Sequence, residues 1–110
     1  MRYNKLVRDN TPEQIIEDGN QVRFKKISTK EEFIWYANKK VLEEAKELYY
    51  AVKGPADKNE IINEVADLAE IVKVLTKALG ISDEEVREIQ KIKAANIGGF
   101  EKGIILQEVK

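Results

Sequence analysis

The sequence predicts a mainly α fold, a helical bundle with a minor short β element. Two long apolar-periodic stretches, residues 33–52 and 58–79, are separated by Gly54-Pro55, a strong helix breaker. Helix-start chemistry recurs along the chain, with Ser or Thr followed three positions later by Glu or Gln at residues 11–14, 28–32 and 82–85. Taken in order, Thr11-Pro12-Glu13-Gln14 offers an N-cap, a proline at the first helical position and a capping-box partner, and Gly19 offers a stop. A short helix is therefore expected at about residues 12 to 18. Val22, Phe24 and Lys26 alternate with polar positions and lead to Ile27, which suits a short strand over residues 22–27. Two overlapping capping boxes in Ser28-Thr29-Lys30-Glu31-Glu32 open the first long helix, from Phe33 to Val52. The second runs from Lys58 to Leu79, with Gly80 as its C′ residue. Ser82, with Glu85 as capping-box partner, starts a third that continues to about Ala95. Gly98-Gly99 is a break, and the apolar tail from Gly103 to Val109 is expected to form a strand pairing with the one near residue 24.

A chain of 110 residues, 43% of them hydrophobic, can bury one core and is too short for two ordinary domains, so residues 1–110 are expected to form a single domain. Its 19 basic and 20 acidic residues give a formal net charge of −1, which offers no bulk electrostatic grip on nucleic acid or an acidic membrane. No run approaches the roughly 20 apolar residues of a membrane span, and the N-terminal residues Lys5, Arg8 and Asp9 replace the apolar run of a signal segment. A cytoplasmic protein is expected. Cys and His are absent, which excludes disulfides, thiol nucleophiles, His-based zinc sites and imidazole bases. Carboxylates, hydroxyls and amines must carry any chemistry.

The carboxylates are arranged suggestively. Glu44 with Glu47, and Glu64 with Asp67, are each three positions apart, a spacing that puts both members of a pair on one helical face. Two such helices packed together would aim four carboxylates at one point, which is the donor set of a Mg²⁺ site. At about 100° per residue, Ile34, Ala37, Val41, Ala45, Leu48 and Val52 form the apolar face of the first long helix. Glu44 lies only about 60° from the centre of that face, and Glu43 points away from it. The second long helix is apolar on nearly all sides (Val65, Ala66, Leu68, Ala69, Ile71, Val72, Val74, Leu75), with Asp67 on a stripe with Ile71, Val74 and Ala78 and Glu64 on its edge. A carboxylate in apolar surroundings is costly unless it is paired or metal-bound, so this placement asks for a cation. The competing reading, ordinary solvated acids on a Glu- and Lys-rich helix, applies more readily to the first pair than to Asp67.

Leu42-Glu43-Glu44-Ala45-Lys46-Glu47, followed after a 16-residue spacer by Glu64-Val65-Ala66-Asp67, resembles the E-E-x-x-E…E-x-x-D signature of the all-α nucleoside triphosphate pyrophosphohydrolases. This MazG-like superfamily includes phosphoribosyl-ATP pyrophosphohydrolase. Tyr3 to Asp9 is similar to the opening of a compact branch of the group, and Gly98 to Lys102 to its closing segment. Asn96-Ile97 departs from the basic residues expected before the glycines.

The resemblance implies hydrolysis of a nucleoside triphosphate between the α and β phosphorus atoms, to a monophosphate and pyrophosphate. It implies Mg²⁺ as cofactor, with Mn²⁺ as a substitute, and Glu44, Glu47, Glu64 and Asp67 as ligands. One of the same carboxylates, Glu47 or Glu44, would take the proton of the attacking water; spacing does not choose among them. Lys93 and Asn96, near the end of the third helix, and Lys5 and Arg8 are candidate phosphate ligands, with a solvated helix end and an anchored N-terminal segment as the plain alternatives. Phe33, Trp35, Tyr36, Tyr49 and Tyr50 are candidates to stack on a base, or simply core and subunit contacts. The all-round apolarity of the second long helix, together with the resemblance, implies a homodimer or homotetramer. Phosphoribosyl-ATP hydrolysis and a non-catalytic helical nucleotide-binding or interaction module are the alternatives.

Overall fold

The computed structural model describes residues 3–110, and the chain divides into two compact units, the first ending at Gly80 and the second spanning Ile81–Lys110. The first unit holds α1 (Thr11–Glu17), α2 (Lys30–Lys53) and α3 (Lys58–Ala78); the second holds α4 (Asp83–Ile97). The architecture is all-helical.

Local chemistry sets the helix ends. Thr29 Oγ1 accepts from the Glu32 amide at 3.2 Å to open α2, and Asp57 Oδ1 accepts from the Glu60 amide at 2.9 Å to open α3. Ser82 and Glu85 form a reciprocal capping box at the start of α4. At α1 the expected cap is displaced by one residue: Asn10 occupies the N-cap without a side-chain bond, and Thr11 is already helical beside Pro12. Gly80 follows α3 with φ of +75°, the left-handed C′ conformation that glycine adopts without a Cβ penalty.

Among the described residues there is no strand, which corrects the expected β element at residues 22–27 and in the C-terminal tail. Alternation supplies a face but not a partner, and an extended segment becomes a strand only when a neighbour accepts and donates its ladder hydrogen bonds.

The first unit is organised by the seam between α2 and α3. Four residues join the two helices, and Lys30 and Phe33 at the start of α2 meet Val74, Lys77 and Ala78 at the end of α3, so the pair is antiparallel. Positions that are at least half-buried include Ala37, Val41, Glu44, Leu48 and Ala51 on α2 and Ile61, Glu64, Leu68, Ile71, Leu75 and Ala78 on α3. Both sets alternate steps of three and four residues, the spacing of a helix–helix seam. Ala37 on α2 is fully buried, where the absent bulk allows close approach, and Ile71 on α3 is 9% exposed. Burying a side chain of that size stabilises the fold by about 1.5–3 kcal/mol.

The seam differs from the face read in the sequence. Val52 is 62% exposed while Ala51 is half-buried in its place, and Glu44, expected about 60° from the centre of the face, is buried. The interior of α3 is one-sided within the described chain: Leu68, Ile71, Val74 and Leu75 turn inward, while Ile62, Val65, Val72 and Leu79 stay exposed.

Candidate metal centre

Glu44 and Glu64 each occupy a seam position where the heptad spacing calls for an apolar residue, so helix packing itself drives both carboxylates inward. One oxygen from each of Glu44, Glu64 and Asp67 lie within 4.8 Å of one another, and Glu43, Glu44 and Glu47 form a second such group. Glu44 belongs to both and is 6% exposed. The four expected acids thus fall in two overlapping groups that share Glu44: Glu64 and Asp67 lie with it in one, and Glu47 lies with it and Glu43 in the other.

The cluster is only partly neutralised. Lys40 Nζ lies 3.3 Å from Glu44 Oε1 and donates to Glu43 Oε2 at 3.1 Å. Lys5 Nζ donates to Glu43 Oε1 at 2.8 Å. Arg8 forks across α3, donating to Asp67 Oδ1 at 2.7 Å and to Glu70 Oε1 at 2.8 Å. The remaining oxygens of the seam are uncompensated: Glu44 Oε2 and Glu64 Oε2 are both buried and have no hydrogen-bond partner among the described residues. Buried polar atoms in native structures are almost always paired, and an orphaned carboxylate oxygen costs more than an orphaned neutral group. Two such oxygens, on carboxylates that belong to one close group, fit a hard divalent cation, whose oxygen-rich shell this donor set supplies.

The titration behaviour follows. Burial, and then the adjacent Glu47 carboxylate, push Glu44 above the usual carboxylate range, with Lys40 opposing. Glu43 is also penalised by burial, but the Lys5 and Lys40 hydrogen bonds outweigh it and hold Glu43 below that range. Lys5 is raised chiefly by its bond to Glu43, and Arg8 by its bonds to Asp67 and Glu70.

A model of the phosphoribosyl-ATP pyrophosphohydrolase family matches residues 10–96, most of the chain and all of the acid cluster. The chain belongs to that family. Membership supports pyrophosphohydrolase activity on a nucleotide, and the acid cluster is suited to the metal dependence of such an enzyme. No curated protein and no solved structure matches the chain. Lys5 and Arg8 precede the residues this family model covers.

The other sequence candidates fall in two places. Lys5 and Arg8 are ion-paired to the cluster, the anchoring role weighed against phosphate binding. Lys93 and Asn96 lie in the second unit, both exposed near the end of α4. Glu43, expected to face away, is instead half-buried and held by two lysines. Of the aromatics, Phe33 is half-buried and lines an open groove with Val74 and Ala78, while Trp35, Tyr49 and Tyr50 are exposed. Trp35 pairs edge-on with Tyr36 and carries Lys39 Nζ 4.3 Å from its ring centroid. Lys40 is the residue the sequence reading missed. Its signal was available, because it precedes Glu43 and Glu44 by three and four positions on one helical face.

No helix among the described residues is long and apolar enough to cross a membrane.

Proposed function

We propose that the protein hydrolyses a nucleoside triphosphate between its α and β phosphates, releasing a monophosphate and pyrophosphate, with Mg²⁺ held by Glu44, Glu47, Glu64 and Asp67 and Mn²⁺ able to replace it. The observation that carries this reading is the pair of unpartnered buried oxygens, Glu44 Oε2 and Glu64 Oε2, on carboxylates of facing helices that form one group with Asp67. When bound, Mg²⁺ neutralises phosphate charge, polarises the α-phosphoryl oxygen and makes water more acidic. Glu44 and Glu64 provide the fixed, water-excluded oxygens, and Lys40 keeps the other Glu44 oxygen engaged. Glu47, exposed and next to Glu44, takes the proton of the attacking water, with Glu44 as the alternative acceptor. Lys5 and Arg8 bind phosphate from the N-terminal segment, and Lys93 and Asn96 are further candidate phosphate ligands on the second unit. The exposed stripe of Ile62, Val65, Val72 and Leu79 on α3 supports assembly as a homodimer or homotetramer.

A second reading, phosphoribosyl-ATP as substrate, is favoured by the family match itself. The same acids and the same bond cleavage serve either substrate. Pyrophosphate release, matched to monophosphate formation, is to be measured on dCTP, dUTP, ATP, modified triphosphates and phosphoribosyl-ATP, with and without Mg²⁺. Metal-dependent turnover of a nucleoside triphosphate supports the first reading, and turnover confined to phosphoribosyl-ATP supports the second. A folded protein inactive on the whole panel would point to a non-catalytic nucleotide-binding module.

A further inference from the structure

Two N-terminal cations reach the acid cluster from a segment without regular secondary structure. Lys5 is fixed to Glu43 on α2 and Arg8 to Asp67 on α3, so residues 5–8 strap the seam beside the acids. The Arg8 contact is of a different kind from a scattered surface pair. Its planar guanidinium spans two carboxylates one helical turn apart, Asp67 and Glu70, and only Asp67 belongs to the metal-suited group. Glu70 is 57% exposed and is an outer anchor, whereas Asp67 is 27% exposed and faces the seam.

We propose that Arg8 is an internal counter-ion which a divalent cation must displace from Asp67, so that metal loading and release of the N-terminal strap are one event. The inference rests on the metal reading above and adds to it a competition that neither the family match nor the signature acids contain. In the metal-free protein a positive charge is needed near three converging carboxylates, and Arg8 and Lys40 supply it. A divalent ion bound by Glu44, Glu64 and Asp67 places a double charge beside the guanidinium, which is repelled while the ion satisfies Asp67 itself. Release is easy because Arg8 is 60% exposed and an exposed ion pair contributes little. Freed from Asp67 and still within reach of Glu70, the guanidinium stands beside the acids as a bidentate phosphate donor. The strap thus holds the seam together without metal and exposes a phosphate-binding group with it.

Mn²⁺ binding to the substrate-free protein, followed by electron paramagnetic resonance of the free ion, tests the competition directly. Arg8→Gln should bind Mn²⁺ about two- to fivefold more tightly than wild type, the scale of an exposed ion pair. Glu70→Gln, which removes the outer anchor and leaves the acid cluster intact, should shift affinity in the same direction. In parallel, tryptic cleavage of the full chain after Arg8 should accelerate when Mg²⁺ is added, because a guanidinium held by two carboxylates cannot enter the protease pocket. Glu64→Gln reports on the metal reading separately, and its loss of Mn²⁺ binding upholds that reading. If Glu64→Gln loses Mn²⁺ while both Arg8→Gln and Glu70→Gln bind it no more tightly than wild type, the strap proposal falls alone. Cleavage after Arg8 that is indifferent to Mg²⁺ likewise overturns it. Wild-type affinity in Glu64→Gln, or no Mn²⁺ binding by wild type, overturns the metal reading and the strap with it.

Discussion

Replacing Glu44 by Gln should make the metal-free protein more stable and at the same time remove its response to metal. In the structure Glu44 is 6% exposed, and among the described residues its Oε2 has no partner and its only cation is Lys40, at 3.3 Å from Oε1. Gln has the same shape, keeps an acceptor for Lys40 and carries no charge to desolvate. An unsatisfied buried polar group costs about 1–3 kcal/mol, more if charged, and the lost charge of the Lys40 pair offsets part of that, leaving a gain of about 1–2 kcal/mol. For a chain of this size the gain corresponds to a rise in melting temperature of about 4–8 °C. Metal reverses the ranking. At a hundredfold excess over its dissociation constant, Mg²⁺ stabilises wild type by about 2.7 kcal/mol, and the variant should gain little. Thermal melts by far-UV circular dichroism, in chelator and in saturating Mg²⁺, should therefore cross: the variant melts higher without metal and lower with it. A variant that melts lower in chelator, or that retains the full Mg²⁺ shift, would refute the argument that Glu44 is an uncompensated seam carboxylate held for a cation.

Asp67→Asn should keep its far-UV spectrum and lose Mg²⁺-dependent pyrophosphate release; undiminished turnover would remove Asp67 from the ligand set. The pH dependence of metal-free stability should carry two opposed contributions. The Glu44 contribution, from a raised carboxyl, is complete below its ordinary value of 4.5 and is lost as pH rises through the raised value. The Glu43 contribution, from a lowered carboxyl, is present above 4.5 and is lost as pH falls through the lowered value. Melts of Glu44→Gln and Glu43→Gln across that range should each flatten one of the two, and identical curves would show that neither group is perturbed. Ala37→Leu, at a fully buried point of the seam, should destabilise by about 1–3 kcal/mol through overpacking, read as a lower urea midpoint.

The helices and the acidic signature were legible because their signals are local. A hydroxyl capping an amide three residues on, as at Thr29 and Ser82, or a left-handed glycine such as Gly80, is decided within one turn of chain. The spacing of Glu44 with Glu47 and of Glu64 with Asp67 was equally plain, and it led to the family before any coordinate did. How deep each acid lies was not. Helical periodicity put Glu44 on the flank of the apolar face of α2, and packing against α3 buries it, with Ala51 and not Val52 covered at the helix end. Asp67 was read as the acid on the apolar stripe and Glu64 as its edge; the structure buries Glu64 Oε2 in the seam and turns Asp67 to Arg8. The alternation at residues 22–27 had no means of naming a partner strand, and none forms among the described residues.

By itself, then, the order of residues determined where the helices start and stop, which chemistry is absent, and that acids recur at a spacing able to share a cation. Tertiary structure decided the register of α2 against α3, and with it which carboxylate oxygens lose water and find no partner. It also decided that Arg8, 59 positions from Asp67, would be the cation at the seam's outer side. The division has one physical cause: helix propensity and capping act over three or four residues, whereas desolvation of a charge depends on every element that packs around it.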